Sequence, residues 1–100
     1  MTAPIPEYVR ELIAQSLVAW RVSGEARHQA DGALLLVAGD KQLRIARAPA
    51  DLPFRWMVAE GERTRGVISI AGLLRAIRAA VDPGYRPIRL RLAPQPLLPP

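Results

Sequence analysis

The sequence predicts a two-layer α+β domain in the order αββββ(β)αβ: a mostly antiparallel sheet of five to six strands with two helices packed on one face. Three observations carry that expectation. Two segments, residues 7–17 and 69–81, repeat their apolar positions with the helical period. The segments between them alternate with period two, and turn signals such as Asp31-Gly32, Gly39-Asp40 and Pro49…Pro53 separate them.

The segment 69–81, SIAGLLRAIRAAV, is the clearest. Ile70, Leu73, Leu74, Ile77, Ala80 and Val81 fall on one side of a helical wheel, with Arg75 and Arg78 well away from it. Ser69 is placed to cap the first turn, and Asp82-Pro83-Gly84 to stop the last. Burying four of its large side chains contributes on the order of 6–12 kcal/mol before entropy, at roughly 1.5–3 kcal/mol each. The first helix opens at Pro6 and turns Val9, Leu12, Ile13 and Leu17 to one side. Continued helix would point Val18 at solvent, so the helix is expected to end near Leu17 and a strand to begin at about Ala19; a helix running on to Gly24 is the alternative.

A two-residue loop at Gly39-Asp40 pairs Leu36 with Leu43 and Leu34 with Ile45, gathering four large apolar side chains on one face. At the preceding turn, a three-residue loop with Gly32 left-handed sets Ala26 opposite Leu36 and His28 opposite Leu34. A two-residue loop would instead turn Arg27 into the core. The first strand then sends Trp20, Val22, Gly24 and Ala26 inward. Phe54, Trp56 and Val58 alternate with Arg55, Met57 and Ala59, predicting a fourth strand with its aromatic face buried. Residues 60–66 read as polar and turn-like, with Val67 and Ile68 as an optional short strand. Ile88, Leu90 and Leu92 alternate with Arg89 and Arg91, predicting a last strand. With the helix as a right-handed crossover, that strand would run parallel to the one at 54–60, making the sheet mixed. Residues 1–93 are expected to form one domain, and the proline-rich 94–100 a flexible tail.

Composition narrows the function classes. The 100 residues include no cysteine and one histidine, His28, so thiolate chemistry, disulfides and the usual zinc sites are outside the repertoire. No uncharged run, 12–20 and 66–74 among them, exceeds nine residues, against ~20 for a membrane span. Without a basic amino-terminal region and cleavage pattern, a cytoplasmic protein is the expectation. No phosphate loop, nucleophile elbow or spaced carboxylate pair is recognisable, so no catalytic residue, cofactor or metal is expected, and enzymatic activity is not. His28, beside a turn, reads as structural.

Thirteen of the fourteen basic residues are arginine. With the Ala, Pro and Gly content alongside, GC-rich coding accounts for this bias better than recognition does, but position adds information. Residues 63–91 hold seven arginines and one acid, Asp82, for a local charge of +6. Two binding readings follow. In the favoured one, protein–protein contacts, with a homodimer admitted, use a smooth strip on the second helix formed by Gly72, Ala76 and Ala79. In the other, nucleic acid or another anionic ligand meets Arg63, Arg65 and Ser69 at the helix amino terminus and Arg89 and Arg91 on the uncovered sheet face, joined there by Arg44 and Arg21.

Overall fold

The computed structural model describes residues 4–85. They form α1 (Glu7–Ala19), a five-stranded sheet of β1 (Glu25–His28), β2 (Leu34–Ala38), β3 (Lys41–Arg47), β4 (Trp56–Glu60) and β5 (Arg63–Val67), and then α2 (Ile70–Val81). The strands lie in sheet order β1-β2-β3-β4-β5, each antiparallel to the next. Both helices contribute to one apolar cluster on one side of this meander, which makes the domain two-layer α+β. The segment expected to add a parallel strand, 87–93, and the expected tail at 94–100 lie outside the described residues.

Turn chemistry sets the register of the first two hairpins. Gly39, at φ +62°, begins a two-residue loop, and Leu36 pairs with Leu43 and Leu34 with Ile45. Gly32, at φ +90°, closes a three-residue loop, setting Ala26 opposite Leu36 and His28 opposite Leu34. Asp31 serves this turn twice. Its carboxylate accepts from the Ala33 amide at 3.1 Å and from Arg44 at 2.6 Å. Those contacts, Arg44 first, hold its pKa below the ordinary value of 3.8. The lead-in docks on the same hairpin, with the Ile5 amide donating to the Gly32 carbonyl at 2.9 Å and His28 Nε2 donating to the Ile5 carbonyl at 2.9 Å. His28 is thereby a tether.

The end of α1 corrects the expected boundary. The helix continues to Ala19 and leaves Val18 78% exposed. Trp20 is the C-cap, and Arg21 takes a left-handed φ of +60°. The Arg21 amide then donates to the Val18 carbonyl and the Val22 amide to the Leu17 carbonyl, at 3.0 and 2.9 Å, the two bonds of a Schellman motif. The exposed valine costs little, whereas this closure satisfies two terminal carbonyls and folds Trp20 and Val22 back against the core. The first strand therefore starts at Glu25, not near Ala19, and Trp20 and Val22 reach the core from a turn.

The second correction concerns β4. Trp56 and Val58 are buried, but Phe54 precedes the strand and is 37% exposed. A Cβ built on Gly66 would stand 2.4 Å from the Phe54 ring, so the ring lies over that glycine. Gly66 pairs with Met57, which points away from the helices, and Phe54 thus covers the outer face of the sheet. Because Gly66 has no side chain, the ring gains a closer platform there than the crowded inner face around Trp56 offers. Trp56 itself is fully buried, with the guanidinium groups of Arg47 and Arg55 at 5.4 and 5.7 Å from its ring.

Helix α2 packs Leu73, Ile77 and Val81 into the cluster formed by Val9, Ile13 and Leu17 of α1 and the inner side chains of the sheet. Ser69 Oγ accepts from the Gly72 amide at 3.0 Å. At the other end Arg78 holds Asp82 at 3.1 Å and lies over Trp20 and Tyr85, 5.3 and 4.6 Å from their ring centres.

Candidate functional site

The β4–β5 hairpin turns through Gly61, at φ +60°, and Glu62, which makes Glu60 and Arg63 the pair that closes the loop. Alternation then sets Arg65 opposite Val58 and Val67 opposite Trp56, so Arg63 and Arg65 share the phase that faces the helix layer. Helix α2 begins just after β5 but packs against β4 and β3, and diverges from the beginning of β5. The wedge between them is a cleft of about 490 Å³. Leu43 and Val58 form its floor, Ala76, Ala79 and Ala80 one wall, and β5 from Arg63 to Arg65 the other, with Glu60 at the end. Alanine keeps this space open, since longer side chains at those helix positions would reach the strand.

The charges at the lip are unequal. Lys41 Nζ approaches the Glu60 carboxylate at 3.7 Å across β3 and β4. Arg63 and Arg65 are exposed and make no ion pair among the described residues. Several other arginines are engaged: Arg10 with Glu7, Arg27 with Glu25 at 3.0 Å, Arg44 with Asp31, and Arg78 with Asp82. Hydrogen bonding to Arg27 lowers the Glu25 pKa and raises that of Arg27. The cleft thus combines an apolar floor and helix wall with two guanidinium groups that make no ion pair among the described residues, an arrangement able to hold a segment with both apolar side chains and carboxylates.

The structure regroups the residues singled out by the sequence. Arg63 and Arg65 line the same cleft as Ala76 and Ala79, which joins two of the anionic candidates to two of the three residues of the interface strip. Ala76 is 8% exposed and belongs largely to the core, while Ala79 is open. Ser69 is occupied as a helix cap, and Gly72 gives room to that cap: a Cβ there would meet Ser69 Oγ at 3.2 Å. Neither lines the cleft. Arg44 faces outward but is tied to Asp31, and Arg21 sits at the end of α1 and not on the sheet. Arg89 and Arg91 lie outside the described residues. Leu43, Val58 and Glu60, which complete the cleft, carry no motif; the signal that locates them is the two-residue Gly61-Glu62 turn, which fixes what Arg63 and Arg65 face.

Among the described residues no group of three or more metal-ligating side chains converges, and no helix is long and apolar enough to cross a membrane. Comparisons with protein-family models, curated proteins and solved structures returned no match.

Proposed function

We propose that this chain is a small, non-enzymatic binding module that acts through a protein partner, taking an acidic segment of that partner into the cleft between β5 and α2. The observation that carries this reading is the pairing of a cleft with an apolar floor and an alanine wall with two arginines on its other wall, Arg63 and Arg65, that have no carboxylate of their own among the described residues. Desolvated guanidinium–carboxylate pairs give direction and register, and the apolar floor adds area removed from water. Nucleic acid fits less well. Single-strand binders stack bases on aromatic platforms, and the cleft has no aromatic side chain. Self-docking of one cleft against another would oppose arginine to arginine.

Affinity capture from cells of origin, with nuclease treatment, tests the reading. The expected result is a protein retained after nuclease treatment by the wild-type chain and by Arg75→Glu, and lost with the pair Arg63→Glu and Arg65→Glu and with Ala79→Arg. Capture that disappears with nuclease treatment assigns the arginines to nucleic acid instead, and capture indifferent to both cleft variants removes the cleft from the interaction.

A further inference from the structure

We infer that the partner segment binds as an added β-strand on the edge of β5 that pairs with no strand among the described residues, with acidic side chains at every second position facing Arg63 and Arg65 and β-branched ones between them. This deepens, and rests on, the docking reading above. In a two-residue hairpin the pair that closes the turn exchanges both of its hydrogen bonds, so Arg63, Arg65 and Val67 aim their main chain at β4. Thr64 and Gly66 therefore aim theirs away from it, and among the described residues neither amide finds a partner in a turn or loop. An exposed edge of this kind is a template for another strand.

Two features select the strand that fits. Residues of an added strand that share the phase of Arg63 and Arg65 would stand beside them, at the mouth of the cleft and next to Ala79, where opposite charges across neighbouring strands attract. Residues of the other phase would stand beside Thr64 and Gly66 on the outer face, within reach of the Phe54 ring that covers Gly66, where β-branched side chains pack well. A second copy of β5 is disfavoured because its own arginines would meet these. The opposite edge of the sheet is a poorer template: β1 has four residues, α1 packs against it, and its Glu25 is already bound to Arg27.

The probe is a fluorescein-labelled peptide alternating Glu and Val, with a Lys/Val counterpart and two N-methylated forms, each methylated on one alternate set of residues. Only one alternate set of amides in an added strand faces β5. The expectation is binding of the Glu/Val peptide by fluorescence anisotropy, a loss of at least about tenfold in affinity with one methylated form only, and slowed amide exchange at Thr64 and Gly66 but not at Arg65. The pair Arg63→Glu and Arg65→Glu should exchange preference to the Lys/Val peptide, a gain that an unfolded variant could not show. Binding unaffected by both methylations, or abolished by both, overturns strand addition and leaves cleft docking standing. Cellular capture that ignores the arginine variants defeats the docking reading itself, and light scattering that shows a stable dimer built on β5 gives the edge to a second copy and overturns the proposal.

Discussion

Arg21 is the only residue other than glycine in the described chain with a positive φ, and it holds that conformation because the end of α1 needs it. A side chain in this region costs about 1 kcal/mol relative to glycine, which the Schellman bonds of Arg21 and Val22 and the return of Val22 to the core offset. Arg21→Gly is therefore expected to stabilise the fold by roughly 0.5 kcal/mol, part of the backbone relief being returned as unfolded-state entropy, and urea denaturation would read it as a higher midpoint at unchanged slope. The boundary was not legible because the usual sign of such an ending is glycine, and the first glycine lies three positions later, at Gly24. Asp31 gives the second residue-scale expectation. Its folded pKa is lowered, so its contribution is fully present above the ordinary 3.8 and disappears as pH falls through the lower folded value. Asp31→Asn should be the less stable form at neutral pH, with the gap closing on acidification below 3.8, and thermal melts of both forms across that range would show it.

At the scale of elements, the hairpins divide by how much of their pairing is apolar. The β2–β3 register could be read because the Gly39-Asp40 loop and the Leu36–Leu43 and Leu34–Ile45 pairs point to the same alignment. The strand β5, Arg-Thr-Arg-Gly-Val, could not, because it lies at the edge with exposed side chains and so has no hydrophobic alternation to announce it. That same exposure leaves Arg63 and Arg65 available at the cleft. Phe54 departs from its sequence pattern for a related reason: alternation assigns it to the Trp56 face, but the bare backbone of Gly66 on the other side accepts its ring. Gly66→Ala should force the ring away at a cost of about 1–2 kcal/mol. In a Phe54→Ala background that cost should vanish or change sign, since alanine is otherwise preferred to glycine within a strand. A double-mutant cycle by chemical denaturation measures the difference, and additive effects would mean that the two residues do not meet.

For the molecule as a whole, the layer architecture is legible in composition and period, down to the two helices sharing one side of the sheet. The cleft was legible only as separate residues. Its arginines and alanines lie on different elements, and what brings them together is the divergence of α2 from β5, a tertiary angle that no local pattern encodes. Arg78 ties the two helix ends by lying over both Trp20 and Tyr85 while bonding Asp82. Arg78→Ala is expected to lower stability by about 1–2 kcal/mol and to shift Trp20 emission to the red as the indole gains water. A Trp20→Phe control separates its signal from that of the buried Trp56. The meander has a further consequence, in time. Since every described strand bonds to the one made just before or after it, this sheet closes only short loops as it forms, and little chain entropy is lost ahead of the contacts that repay it. Refolding followed by stopped-flow tryptophan fluorescence should accordingly be complete within roughly tens of milliseconds, and a nascent chain could zip its hairpins in order as they emerge, with the polar β5 the last of the five described strands to be laid down.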